Sequence, residues 1–366
     1  MPADRLPRHE RNIMTATMRG LAFLGDGQVG LVERDIPTAG PGEAVVRSTA
    51  SLICTSDVHT VAGVLPVPAG RLLGHESVGV VHAIGDGVTS VKVGDRVAVN
   101  AVTPDGTCDY CQRGFTSQCG GPLGGYRYTA QKDGNLAEYF HVNDADYNLA
   151  PIPDELADEV AVYACDMLST GFVGAENAHI PLGGTVAIFA QGAVGLSATM
   201  GARLLGAGLI IAVEGRPDRA ALAKQFGADI VIDPSDGNAA EQIAEITGGG
   251  VDSAIEALGS QATFEGCLRA TRAGGTISNL GYHGEGGPTL TIPLDAFGLG
   301  MAGKQITTDL CPGGRDRMER LMRLLATGKV DPSPMTTHRF AVGDAEDAFA
   351  VMRDKRDGVI KPLITY

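Results

Sequence analysis

The sequence predicts an α/β protein with a β-rich first part and a doubly wound parallel sheet behind it. Three observations predict this. Short Val-rich runs broken by Gly and Asp fill the first half. Beyond about residue 170, apolar runs alternate with segments of helical spacing. The chain has 366 residues, more than one domain of about 100–200 would hold. Strand–helix alternation means βαβ units and therefore a parallel sheet. A hydrophobic fraction of 44% with 51 glycines fits a turn-rich globular chain.

Taken in order, MPADRLPRHERNIMTATM is polar and lacks the apolar segment of a signal peptide. Residues 1–17 read as a disordered extension, with Met14 and Met18 as alternative starts. LAFLGDGQVGLVERDIP carries two apolar runs around a Gly-rich turn and predicts a hairpin. EAVVRSTA, SVGVVHAIG and DRVAVNAV predict strands, and VTSVKVGDRVAV places two such runs around a turn at Gly94-Asp95. TVAIFAQGAVG is a strand entering a Gly turn, and Leu196, Met200 and Leu204 share one face of the following helix. Strands at LIIAVE, DIVID, VDSAIEALG and TISNLG then alternate with helices at RPDRAALAKQFGA, NAAEQIAEITGGG and QATFEGCLRATRAGG. After a helix in RDRMERLMRLLATGKV, the tail is too short for a domain and is expected to complete one of the other two.

Net charge is −14, which disfavours nucleic acid and anionic membranes as partners. No apolar run reaches the ~18–20 residues of a membrane span. An odd count of seven cysteines without an export signal points to a reducing cytoplasm and to thiolates free for metal rather than disulfides.

Ala190-Gln191-Gly192-Ala193-Val194-Gly195 fits GxGxxG with alanine at its first position. The motif follows a predicted strand and opens a predicted helix, the context a dinucleotide-binding turn requires. Gly192 lets backbone approach a pyrophosphate at the helix N-terminus, and Gly195 permits close helix–strand packing. An ordinary tight turn is the competing reading. Glu214 lies 19 residues past Gly195, where a carboxylate accepts from ribose hydroxyls and repels a 2′-phosphate. Arg216 argues the other way, or Glu214 is only a solvated loop charge; we expect NAD over NADP.

Cys54 stands 21 residues before His75-Glu76, and thiolate, imidazole and carboxylate all bind zinc. Each alone would more often be packing than ligand. Ser56 and His59 beside Cys54 have the form of a proton path, hydroxyl then imidazole, although His59 also suits an ordinary surface histidine. TPDGTCDYCQRGFTSQC holds a CxxC pair and a third cysteine, a second candidate metal segment.

Cys54-Thr55-Ser56-Asp57-Val58-His59, Gly74-His75-Glu76, the glycine motif and CPGGRDRMERL together resemble the zinc-dependent medium-chain alcohol dehydrogenases. HVNDADYNLA and STGFVGAE extend the likeness, which is narrowest to the tetrameric bacterial secondary-alcohol enzymes and runs from Met18 to the C-terminus. The resemblance implies a GroES-like catalytic domain over 18–169 and 311–366 and a Rossmann domain over 170–310. It implies a catalytic zinc on Cys54, His75, Glu76 and Asp166, with Asp166 chosen over its neighbour Cys165 by counting back from Ser169-Thr170-Gly171. Glu76 is expected to leave that metal as substrate enters.

Asp105, Cys108, Cys111 and Cys119 match the family's closed structural zinc site, with aspartate replacing its first cysteine; three metal-free thiols are the alternative. The likeness further implies a small pocket of Tyr126, Met167, Thr170, Tyr282, Leu310 and Cys311, two zinc ions and NAD per subunit, and a homotetramer. The substrate would be a short secondary alcohol or ketone. Relatives that use NADP carry a small residue, Ser and Arg after the second strand and Tyr after the third; here stand Glu214, Gly215, Arg216 and Asp233. Competing expectations are a zinc enzyme for polyols or aldehydes, an NADP-preferring secondary-alcohol enzyme, and a nucleotide-binding protein without turnover.

Overall fold

The computed structural model describes residues 16–284 and 287–366, so all but the last two residues of the expected extension lie outside the described residues. The chain opens on the predicted hairpin, Thr17–Gly25 against Gln28–Asp35. Its turn places Asp26 at φ 47° and Gly27 at φ 73°, the left-handed pair that matches the twist of the flanking strands.

The first sheet runs in the order Thr336–Ala341, Lys361–Thr365, Ala44–Leu52, Glu76–Ile84, Arg96–Val99, Leu149–Pro151, with Tyr139–Val142 also on Ala44–Leu52. The tail thus returns to the β-rich part, as its length suggested. Leu52 pairs with Glu76 on one side and Leu363 on the other. That antiparallel register carries Lys361 level with Cys54, beside Glu76.

One expectation is corrected here. The run Val88–Val93 forms no strand. The Asp146 carboxylate accepts from the backbone N–H groups of Thr89 and Ser90, so this backbone is satisfied by a side chain instead of a ladder.

The second sheet is parallel. Its order is Ile230–Ile232, Leu209–Val213, Thr185–Phe189, Val251–Glu256, Thr271–Asn279, Gln305–Thr308. In chain order this is 3-2-1-4-5-6, whose direction reverses beside the first strand and opens a crevice at the strand ends. Val186, Ala187 and Ile188 are fully buried, as expected where helices cover both faces. The helix Met167–Asn177 spans the expected divide at residue 170 and packs on Ala193–Leu204. Leu52, Leu168, Ile188 and Leu196 belong to one apolar core, so the two sheets are joined by buried surface.

Candidate active site

Cys54 leaves the strand Ala44–Leu52 and precedes the helix Thr55–Val61. His75 and Glu76 enter the strand Glu76–Ile84 through Gly74 at φ 94°. A Cβ at Gly74 would lie 2.4 Å from Leu136 Cγ, so only glycine fits. Asp166 precedes the helix Met167–Asn177. One ligand atom from each of Cys54, His75, Glu76 and Asp166 lies within 4.8 Å of the others.

His75 Nε2 points inward, 3.4 Å from Asp166 Oδ2 and 3.8 Å from Glu76 Oε1. Its Nδ1 faces outward, 3.7 Å from Asp57 Oδ1 and 3.4 Å from the Tyr126 hydroxyl. Asp57 accepts from Cys54 N at 2.9 Å and Gly74 N at 3.0 Å, tying both ligand segments to one buried carboxylate. A carboxylate behind a ligating imidazole fixes its ring and tautomer. Cys165 is turned away: its thiol donates to Ser77 O at 3.4 Å, and burial holds its pKa above the ordinary range.

The electrostatics call for a cation at the centre. Burial opposes a charged His75, yet the fields of Tyr126 and Asp57 and the hydrogen bond to Asp166 push its pKa well up. Burial also raises Asp166, but His75 and Thr170, whose hydroxyl donates at 2.5 Å, bring it below the ordinary value. Glu76 is pushed up to about 7 by burial, against the pull of Lys361. Its Oε1 accepts from the fully buried Lys361 Nζ at 2.5 Å, while Oε2 is buried without a hydrogen-bond partner. An orphaned carboxylate oxygen among a thiol, an imidazole and a second carboxylate fits a divalent metal.

With Cys54, Glu76 and Asp166 ionised, a divalent ion would leave one negative charge, and Lys361 neutralises it.

A cavity of about 360 Å³ opens beside this set. Its wall includes Cys54, Ser56, His59, His75 and Asp166, and also Ala190, Gly192, Ala193 and Val194 of the glycine turn. All six expected pocket residues line it: Tyr126, Met167, Thr170, Tyr282, Leu310 and Cys311. Ser56 Oγ lies 3.2 Å from His75 Nε2, and the His59 ring centroid is 6.2 Å from that of Tyr282.

Gly195 lies behind the turn, where a Cβ would approach Ala190 O to 1.9 Å. Ala190 itself sits at φ 71°; the turn keeps its left-handed geometry at a cost glycine would avoid. Glu214 accepts from Gln191 N at 2.8 Å and Arg216 N at 2.9 Å. Arg216 Nη2 reaches Asp218 at 3.4 Å. Neither Glu214 nor Arg216 lines the cavity, whereas Arg219, Lys355 and Lys361 do. Sequence reasoning missed these three cations and Asp57. Only Asp57 left a local signal, an acid three residues after the residue that caps the helix Thr55–Val61.

The second cluster is Asp105, Cys108, Cys111 and Cys119, again with ligand atoms within 4.8 Å of one another. Cys108 Sγ lies 3.5 Å from Cys111 Sγ and 3.9 Å from Cys119 Sγ. Tetrahedral zinc with Zn–S near 2.3 Å sets sulfurs roughly 3.8 Å apart, and a disulfide needs about 2.05 Å. All seven cysteines are free. N–H donors already face the sulfurs: Asp105 N on Cys119 Sγ at 3.2 Å and Gly120 N on Cys108 Sγ at 3.4 Å. Burial and the Cys108 contact raise Cys111 to about 12, backbone hydrogen bonding lowers Cys108, and Arg127 Nη2 donates to Cys119 Sγ at 3.3 Å; a bound cation would favour the thiolate form of all three. Metal content near two zinc ions per chain is expected to drop to one in Cys111→Ser, with faster proteolysis in the lobe around it; an unchanged content would refute the second site.

Two family profiles match the chain: the alcohol dehydrogenase GroES-like domain over residues 40–154 and the zinc-binding dehydrogenase over 193–327. An alcohol dehydrogenase of Cupriavidus necator is 43% identical over 96% of this chain and 99% of its own length. An NADP-dependent isopropanol dehydrogenase of Thermoanaerobacter brockii is 47% identical over 95% of this chain and 99% of its own. Among solved structures, alcohol dehydrogenase TADH from Thermus sp. ATN1 superposes with a TM-score of 0.86 at 30% identity, covering 95% of this chain and 99% of that one.

Proposed function

This chain belongs to the zinc-dependent medium-chain alcohol dehydrogenases of the secondary-alcohol type, and on that premise we propose that it interconverts short secondary alcohols and ketones using NAD. The observation that carries the reading is one cavity whose wall includes both the Cys54–His75–Asp166 set and the Gly192 turn. When bound, zinc supplies Lewis acidity and the dinucleotide supplies the hydride acceptor.

The chain's own residues do the rest. Cys54, His75 and Asp166 would hold the metal, and Glu76, whose Oε1 is already bonded to Lys361, would be the ligand to give way to substrate. Asp57 orients His75. Ser56 takes the hydroxyl proton and passes it to His59, which reaches solvent. Met167, Thr170, Leu310 and Cys311 give the apolar wall, closed by Tyr126 and Tyr282. We assign residues 18–169 and 311–366 to the catalytic domain and 170–310 to the cofactor domain, and we take the working form to be a cytoplasmic homotetramer. Among the described residues no helix is long and apolar enough to cross a membrane.

The preference for NAD rests on Glu214. It stands at the end of the second strand, held by two backbone donors, and Asp233 lies beyond the third strand. Two carboxylates on that edge make a 2′-phosphate costly to seat. The expected result is reduction of NAD by 2-propanol, read at 340 nm, in preference to ethanol or a polyol and to NADP as acceptor. Glu214→Ser is expected to move the preference toward NADP. Wild-type preference for NADP, or for the polyol, would contradict the proposal.

A further inference from the structure

Glu256 ends the strand Val251–Glu256 and is fully buried. Neither it nor His283 lines the cavity. A carboxylate so placed is unfavourable unless donors satisfy it. Here the next turn supplies them. Leu258 N donates to Oε1 at 2.9 Å, and Gly259 N lies 2.9 and 3.0 Å from Oε1 and Oε2. The Thr263 hydroxyl donates to Oε1 at 2.6 Å. His283 Nε2 stands 3.6 Å from Oε2.

These contacts converge on Tyr282. Glu256 O accepts from Leu280 N at 2.8 Å and from Gly281 N at 3.2 Å. Asn279 is level with Glu256 on the neighbouring strand, and its Nδ2 donates to Gly281 O at 3.1 Å. That bond orients the amide, so its Oδ1 accepts from His283 Nε2 at 2.8 Å. Phe264 meets the His283 ring edge-on, with centroids 6.0 Å apart. Both neighbours of Tyr282 are therefore tied to Glu256, Gly281 through the backbone and His283 through its ring.

The two turns leave no room for side chains between them. A Cβ on Gly281 would stand 2.1 Å from Glu256 Oε2. One on Gly259, at φ 92°, would stand 2.2 Å from Tyr282 O. Tyr282 itself is 44% exposed, at the rim of the cavity, with its ring beside His59 of the helix Thr55–Val61. Ala257, Leu258 and Gly281 of the same turns also line the wall. A half-exposed ring carried on a turn keeps one place only where buried groups hold the turn.

We propose that Glu256 and His283 are positioning residues that fix Tyr282 at the rim against His59, and so limit the size of the alcohol admitted. This rests on the reading of the pocket given above and adds what sets its size.

Two measurements test it. The chain contains no tryptophan, so Tyr282→Trp provides a single fluorescent reporter of the ring's position. Its anisotropy is expected to fall when Glu256→Leu or His283→Phe is added. It should stay near the parent value with Glu256→Gln, whose oxygen can keep the bonds made by Oε1. With Tyr282 in place, kcat/KM for 2-propanol and 2-octanol reads the pocket. Glu256→Leu should lower the ratio of the two by about tenfold, the scale of contacts in an apolar pocket, through a raised KM for 2-propanol. Glu256→Gln should keep the wild-type ratio. Unchanged zinc content and circular dichroism show that a variant folds. Wild-type anisotropy or a wild-type ratio in folded Glu256→Leu would overturn the proposal, and His283→Phe decides in the same way if Glu256→Leu does not fold. Equal losses for both alcohols would also overturn it, since a general structural role predicts them. A wild-type protein that oxidises neither alcohol would contradict the reading of the pocket, and anisotropy would then decide the positioning by itself.

Discussion

Asp166→Ala is expected to strip the catalytic metal and to cut 2-propanol oxidation by roughly a thousandfold or more. The magnitude follows from the several kcal/mol a Lewis acid contributes to such a step, at about 1.36 kcal/mol per factor of ten. Asp166 Oδ2 lies 3.4 Å from the inward nitrogen of His75, and its other oxygen is fixed by Thr170. Without Asp166 the set keeps Cys54, His75 and Glu76, and Lys361 holds one oxygen of Glu76. Cys165→Ala is the paired control. Its sulfur points to Ser77 O rather than to the metal set, so zinc content should be unchanged and activity within a few-fold of wild type. Metal loss in Cys165→Ala with retention in Asp166→Ala would reverse the assignment.

Lys361→Met is expected to be the most destabilising of the single substitutions around the site, by about 3–5 kcal/mol, the range for removing one partner of a buried ion pair. Lys361 and Glu76 are 1% and 0% exposed, so neither charge can turn to water. Besides Glu76, Lys361 donates to Ile53 O at 3.2 Å, which the thioether of methionine cannot do. The released Glu76 would also lose the contact that fixes its Oε1, and turnover should fall with stability. Denaturant unfolding of Lys361→Met, Glu76→Gln and the double variant checks this. The double variant should lose less than the sum of the two singles, because the penalty of the first lies in the carboxylate it leaves behind. Strict additivity would mean that the pair is not coupled.

Much of the site was legible because its pieces are local. Cys54 with Ser56 and His59, His75-Glu76, and the turn from Ala190 to Gly195 each sit in one short segment, and strand–helix alternation placed the turn between the strand Thr185–Phe189 and the helix Ala193–Leu204. What stayed hidden depends on register and distance. Lys361 is 285 positions from Glu76. In GVIKPLITY it looks like a polar interruption of an edge strand, and only the pairing of Leu363 with Leu52 and of Leu52 with Glu76 brings it to the metal set. Nothing local marks Arg219 or Lys355 either, because the segments that bring them to one cavity lie far apart in the sequence. The Val88–Val93 run misled for the opposite reason. Its apolar alternation was genuine, but Asp146, 57 positions from Thr89, captured its backbone donors.

The central claim is that a metal held by Cys54, His75 and Asp166 is what makes alcohol oxidation possible in this cavity. Its most direct test is the rate of 2-propanol oxidation by protein depleted of zinc with a chelator and confirmed to retain its fold and its affinity for NADH. The rate should fall to roughly a thousandth or less of the starting value and return in proportion to the zinc restored. A metal-free protein that binds NADH and oxidises the alcohol at the original rate would contradict the account.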